Sequence, residues 1–515
     1  MKLNKFTIHP LFSVLIIIMM ITACKKSINL NDSLTSVPND ATSLIAINLK
    51  SLSTKITWDS LQSLNWGTPA GMKDNLSKKD TNLIQILKDP KLSGIDAEKN
   101  IYIVTNYSDS LNGLGKRKTF ITLKDPKAFE ALILKLAGPA ISKEAYKQTN
   151  NGIATNNGIA ASWNDKMAII GTTDSAIPIG GSSWARYFNL KPNQSLAYHP
   201  DAVKLLSEQH DIYTFFSSAE LLSNPIFKIA AAAINIPPQA LTENTITTHT
   251  DFQPGKINTK TNLNIAKDIR NQFGLMFKDH PTTDLSKYLG ARPIGFASSI
   301  ALDSRGIKEI INANPALSVY THRFDSLGIH PEEVLKAFDG DAFIAAYPPA
   351  DTGNWGLTLG FKVRDKPDMM TFIQSITKGG IVQKINDDNY QIELPEVNWK
   401  GIGAGGMFKI IFIDDMLLMG DAPEMDRIVV ERIHKSARLE DAEILQSLNK
   451  NIFGIYSNLP NLPFLPKAYQ LLPTNFHFVQ NGKEGEGVAI MKDPKSNPLQ
   501  AFLQFFNERQ YPKKK

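Results

Sequence analysis

Cysteine is almost absent. The 515 residues contain one, Cys24, which excludes an intramolecular disulfide and any zinc site built from clustered thiolates. Long apolar runs are also missing. Leu11–Ile21 (LFSVLIIIMMI) is the longest stretch of that kind and is short for a bilayer crossing; no later segment reaches 18 apolar residues. Nor does charge of one sign dominate, with Lys+Arg 56 against Asp+Glu 50. Lys2 and Lys5 lie in the first 23 residues, and Lys25, Lys26 and Lys513 to Lys515 sit at the two ends. The body between is close to neutral, without the basic stripe that nucleic acid requires.

Catalytic motifs are equally scarce. There is no G-x-S-x-G elbow and no H-E-x-x-H. Ser375–Lys378 and Ser447–Lys450 satisfy S-x-x-K, but Ser375 falls late in an expected helix and no K-T-G follows. Lys400 to Gly406 (KGIGAGG) lacks the G-K-[ST] of a phosphate cradle and reads as a flexible strand connection, like Asn150 to Gly158 (NNGIATNNG). Asp414, Asp415 and Asp421 fit turn chemistry and no EF-hand. His199, His210, His249, His280, His322, His330, His434 and His477 read as surface or structural residues. The sequence therefore predicts no catalytic residue, no metal ligand and no cofactor, and a protein that is not an enzyme.

What is present starts at the amino terminus. Lys2 and Lys5, the apolar run and then Ile21-Thr22-Ala23-Cys24 form a signal segment that resembles a bacterial lipobox. The resemblance implies cleavage before Cys24, a diacylglycerol (with palmitate as a typical chain) on its sulfur and an acylated amino terminus, several chains together giving stable anchoring. Residues 24–36 are polar and read as a tether. Lys25 and Lys26 replace the acidic cluster of surface-displayed lipoproteins, and no aspartate follows the cysteine. By resemblance the anchor lies in the outer membrane, facing the periplasm.

Val37 to Leu52 (VPNDATSLIAINLKSL) joins a Pro38-x-Asp40-Ala41 turn to an apolar strand and Lys50-Ser51-Leu52. With the lipobox this resembles the opening of an uncharacterised Gram-negative lipoprotein family, a domain of unknown function. The resemblance implies a family spanning nearly the whole chain after Cys24 and supplies no activity.

The body reads as a duplication. Phe120 to Leu136 and Leu359 to Ile376 each run strand, basic residue, aspartate, proline, amphipathic helix, with Asp125 and Asp365 as N-caps. Asn164-Asp165 and Asp414-Asp415 each separate two apolar runs, the pattern of a hairpin. Asp211 to Leu222 echoes Asn451 to Leu462, and Thr245 to Ile265 and Asn475 to Met491 both read strand, Gly-Lys turn, strand. The expected class is α+β: two tandem related modules, 37–283 and 284–507, each an antiparallel sheet with helices on one face, followed by a basic tail, 508–515. The sequence alone leaves open whether they are two beads or one body.

Pro225 to Pro238 (PIFKIAAAAINIPP) reads as a helix apolar on nearly all sides, with Leu462 to Leu472 in the matching place. The leading expectation is a non-catalytic binding or scaffold protein tethered by lipid, with an envelope protein as a possible partner. The alternatives are a carrier or sensor of lipid or another hydrophobic ligand that uses the Pro225–Pro238 helix, and a hydrolase without a recognisable motif.

Overall fold

The fold was analysed in a computed structural model. The structure describes residues 33–56, 90–106, 116–137, 143–146, 150–154, 159–172, 184, 186–221, 236–289, 293–313, 331–349, 355–378, 382–399, 402–433, 448–458, 460 and 473–501. Cys24 with its expected signal segment, most of Pro225–Pro238, Leu462–Leu472 and the basic tail lie outside the described residues.

Twenty strands appear among the described residues. The first ten are β1 (Ser43–Asn48), β2 (Asn100–Asn106), β3 (Lys116–Thr122), β4 (Lys143–Tyr146), β5 (Asn150–Ala154), β6 (Ile159–Trp163), β7 (Met167–Thr172), β8 (Ile212–Ser217), β9 (Thr245–Gln253) and β10 (Lys256–Asn264). The next ten are β11 (Phe296–Ala301), β12 (Phe338–Tyr347), β13 (Gly356–Val363), β14 (Gln383–Asn386), β15 (Asn389–Trp399), β16 (Ile402–Ile413), β17 (Met416–Asp421), β18 (Phe453–Asn458), β19 (Asn475–Asn481) and β20 (Glu484–Ile490).

All pairings are antiparallel. They run β4-β5-β6-β7-β3-β2-β1-β8-β9-β10 through the first half. The second half runs β14-β15-β16-β17-β13-β12-β11-β18-β19-β20, the same order strand for strand. The two series meet where β10 pairs with β20, from Lys256↔Ile490 to Asn262↔Glu484. One α+β body with a single continuous sheet results, in place of two beads.

Local chemistry sets many element ends. Asp125 Oδ1 accepts from the amides of Lys127 and Ala128 to cap helix Pro126–Ala137, and Asp365 Oδ1 accepts from Asp368 to cap helix Lys366–Lys378. Asn497 caps the helix that begins at Pro498 in the same way. In the β6–β7 connection, Asn164 Oδ1 accepts from the amides of Lys166 and Met167. Asp414 opens the two-residue β16–β17 turn at φ +52°, a left-handed conformation that aspartate tolerates better than most residues. Gly255 and Gly482 take φ +73° and +55° in the two Gly-Lys turns.

The expectation of helices on one face is corrected. Met167 and Ile169 of β7 enter one cluster with Leu34, Leu44, Tyr102, Phe120 and Phe215. Ala168 and Ile170 enter another with Phe129 and Ile133 of helix Pro126–Ala137. In β17, Met416 and Leu418 likewise join Met425 and Ile428 of helix Ala422–Ile433, while Leu417 and Met419 join Met369 and Ile373 of helix Lys366–Lys378. Alternate residues on a strand point to opposite faces, so an unbroken apolar run such as MAII or MLLM needs cover on both.

Three further boundaries move. Ser33–Ser36, within the segment read as tether, form a 3-10 turn with Leu34 fully buried, because the sheet needs an apolar plug there. Gly403 to Gly406 and Asn150 to Ala154, both read as flexible connections, belong to β16 and β5 and pair with neighbouring strands; backbone bonding overrides the glycines' freedom. Phe277 to Thr283, assigned to the first module, bond to the second half. Phe277 bridges Leu302, and the buried carboxylate of Asp341 accepts from Lys278 Nζ at 3.0 Å and from the amides of Thr282 and Thr283 at 2.7 and 3.0 Å.

Gly340 shows what an unavoidable glycine looks like. It lies at the β12 irregularity with φ +106°, and an added Cβ would stand 1.8 Å from the Leu302 carbonyl oxygen. At Gly482 a Cβ meets nothing within 4 Å. We expect Gly340→Ala to cost roughly 2–4 kcal/mol and Gly482→Ala about 1 kcal/mol. Urea midpoints at unchanged slope would measure both; equal losses would refute this account of β12.

Candidate functional site

The polar part of the molecule is the seam. β9 and β10 (TITTHTDFQ and KINTKTNLN) carry few large apolar residues. Thr248 pairs with Thr261 at 3.1 Å and Thr250 with Thr259 at 3.3 Å across the strands. Lys260 faces Glu486 across β10–β20 at 3.5 Å, an exposed pair of little energetic weight. Beside this ribbon lies a groove of about 290 Å³. Asp201, Lys204 and Glu208 line it from helix Pro200–Ser207 and its end, Thr247 and His249 from β9, and Lys483 and Glu484 from the second half.

At one wall the chain brings Glu208, His210 and His249 together. Helix Pro200–Ser207 stops before Glu208, and the next residues turn into β8. Tyr213 holds that turn: its hydroxyl accepts from the His210 amide at 2.7 Å and donates to the Glu208 carbonyl at 2.8 Å. β9 then lies against β8 with Tyr213 opposite His249. His249 and Asp251, two apart on β9, share a face.

His210 is held on three sides. Its Nδ1 lies 2.7 Å from Asp251 Oδ2 and its Nε2 lies 3.1 Å from Glu208 Oε2. Its ring stacks on that of His249, centroids 3.7 Å apart and planes 5° apart. A neutral ring satisfies one of those carboxylates, an imidazolium both. Burial pushes the His249 pKa down, and the charge of His210 adds to this. Glu208 is lowered as well, mainly by its hydrogen bond with His210. Behind the cluster, the buried carboxylate of Asp211 accepts from Ser51 Oγ, Lys55 Nζ and the Phe252 amide, each at 2.6 Å. That knot ties helix Leu49–Lys55, β8 and β9 into one frame.

Among the described residues, Glu208, His210 and His249 are the group of three whose ligand atoms lie mutually close, within 4.8 Å. Sequence reasoning missed it. The available signals were two doublets, Glu208-x-His210 and His249-x-Asp251, which become one cluster only when β8 pairs with β9. The other candidates stay apart from it. Asp421 accepts from the Leu357 amide at 2.6 Å and is raised by burial, Asp415 bonds Tyr288, and Ser375 sits near the end of its helix. His280 Nδ1 bonds the Pro281 carbonyl. Cys24, His322, His330 and His434 lie outside the described residues.

Comparison with known proteins adds a family. Residues 35–348 match the model of a domain of unknown function, DUF4836. The chain belongs to the DUF4836 family. The matched segment starts in the 3-10 turn at Ser33–Ser36, includes β1 to β12 and ends just after β12. It is shorter than the near-complete coverage that the amino-terminal resemblance implied. No curated protein matches this DUF4836 chain. Two crystal forms of TP0453 align at 10% identity. Form I covers 46% of this chain and 79% of its own with a TM-score of 0.26, and form IV covers 48% and 85% with 0.27.

Away from the groove, His199 and His477 are half-buried, each with an Nδ1 that has no hydrogen-bond partner among the described residues. Burial lowers the pKa of both, opposed at His199 by the charge of Asp201. As pH falls below the ordinary histidine value of about 6.5, the unfolded chain takes up protons that the folded chain refuses. Stability therefore falls from about pH 6.5 down to the depressed folded-state values. Thermal midpoints measured between about pH 7.5 and 5 should show this loss, and His199→Gln with His477→Gln should reduce it, leaving the share that the depressed His249 contributes. A double variant as pH-sensitive as the wild type would contradict this assignment.

Proposed function

We propose that this DUF4836 protein is a lipid-anchored, non-catalytic binding or scaffold protein, held at the outer membrane through Cys24 and facing the periplasm. The Ile21-Thr22-Ala23-Cys24 lipobox supports the anchor. No described helix is long and apolar enough to cross a membrane. The observation that carries the binding role is the groove at the β10–β20 seam, which draws Asp201, Thr247 and His249 from one half and Lys483 and Glu484 from the other. Its lining of carboxylates, lysines, threonines and asparagines, with Leu205 and Leu263 as the apolar members, suits a polar ligand or a polar segment of a partner better than an acyl chain.

The two halves are, on this reading, tandem copies of one module. Ten strands paired in the same order on each side of the seam support it, as do the matched caps Asp125 and Asp365. The copies have diverged at the groove. The strand register that matches Asp211 with Ile452 sets Asn449 and Asn451 against Glu208 and His210, and Asn449 Nδ2 donates to Asp284 Oδ1 at 2.7 Å instead.

Palmitate labelling tests the anchor. The wild type should take up label and sediment with outer membrane, and Cys24→Ala should lose label and appear in the soluble periplasmic fraction; labelling that survives Cys24→Ala overturns it. A photo-crosslinking amino acid tests the groove. At Asn262 it should trap a discrete partner in intact cells, and at Ile385, exposed on edge strand β14, it should not. Identical products at both positions would remove the groove from the argument.

A further inference from the structure

We propose that Glu208, His210 and His249 form a binding site for one divalent transition-metal ion of the zinc class, with Asp251 orienting His210. This deepens the reading of the groove as a binding site and rests on it; it does not depend on the lipid anchor.

Donor chemistry comes first. Two imidazoles and one carboxylate suit zinc, copper or nickel, whereas magnesium and calcium take oxygen ligands almost throughout. The candidate ligand atoms already lie within 4.8 Å of one another. A tetrahedral ion with nitrogen and oxygen ligands at about 2.0–2.2 Å holds them roughly 3.4 Å apart. Side-chain rotation that opens the His210–His249 stack closes that difference.

The outer shell is in place as well. A metal-bound histidine ordinarily gives its second ring N–H to a carboxylate or carbonyl. Asp251 Oδ2 takes that part at 2.7 Å from His210 Nδ1, which turns Nε2 toward Glu208. Asp251 is itself held, its Oδ1 accepting from the Asp211 amide at 3.3 Å. The frame is stiff, because Tyr213 ties the Glu208–His210 turn and β8–β9 pairing sets His249 opposite Tyr213.

Access comes from the groove. Glu208 and His249 both line it, so a water or a donor from a bound molecule can complete the coordination. Binding exchanges the proton shared between His210 Nε2 and Glu208 for the ion, and that proton leaves to solvent. The second half repeats the strands and lacks the ligands, with Asn449 and Asn451 at the places of Glu208 and His210.

The test uses the purified chain, free of affinity tags and stripped with chelator, titrated by calorimetry with Zn²⁺ alone and followed by absorbance with Co²⁺ alone. The expected result is one ion per chain, visible d–d bands for Co²⁺, and no displacement by excess Mg²⁺. His249→Gln, His210→Gln and Glu208→Ala should each weaken Zn²⁺ at least about tenfold, and Asp251→Asn by about 10- to 100-fold. His477→Gln should leave it unchanged. Circular dichroism and unfolding midpoints of the metal-free variants separate lost ligands from lost fold. The exposed Glu208 offers a variant that keeps the core intact. No stoichiometric binding by wild type, or binding unaltered in the His210→Gln/His249→Gln double variant, overturns the proposal. Crosslinking at Asn262 is read without added metal. A trapped partner with no zinc binding sinks the metal site alone, whereas loss of both sinks the groove as well.

Discussion

The pairing of β10 with β20 is the interaction on which the rest of this structure depends. Each half ends its series of strands with an edge, and an unpaired edge of backbone N–H and C=O groups is a template for unwanted association. Joining the two edges satisfies both. It also places the polar ribbon of β9 and β10 in the middle of the sheet, where Thr-Thr pairs and an exposed Lys260–Glu486 contact cross the strands. The main-chain ladder provides the connection there. The larger apolar clusters lie on both faces of each half-sheet, and a small one, with Phe252 of β9, Ile257 of β10 and Leu499, sits at one end of the seam.

The groove follows from the same geometry. A strand pair fixes which side chains share a face, and β8–β9 puts His249 and Asp251 beside the turn that carries Glu208 and His210. Tyr213 and the buried Asp211 then hold the backbone on either side. A buried carboxylate is costly unless it is paired and bonded. Asp211 meets that condition with a lysine, a serine and an amide, and Asp341 does the same for the junction between the halves. Both anchors sit where chain segments distant in sequence must be held together, so each charge contributes position as well as stability.

Family membership and architecture reach different distances along the chain. The DUF4836 match ends just past β12, while the repeated strand order continues to β20. A sequence profile registers residue identities, and few are shared between the halves. A hydrogen-bonded ladder registers strand order, which tolerates wide change in side chains as long as alternation and turns survive.

Local chemistry was legible in the residues themselves. Asp125, Asp365 and Asn497 cap helices, Asn164 and Asp414 turn hairpins, and Gly255 and Gly482 turn the two β-ribbons, because each acts on backbone groups a few residues away. The α+β class was readable from the same local signals. Other features were decided at long range. Tertiary structure determined that both sheet faces are covered, that Gly403 to Gly406 extend a strand, and that Leu34 plugs the core. It also joined the halves edge to edge and gathered Glu208, His210, His249 and Asp251 into one cluster. Those outcomes turn on which strand pairs with which and in what register, and nothing within a single strand encodes the identity of its neighbour.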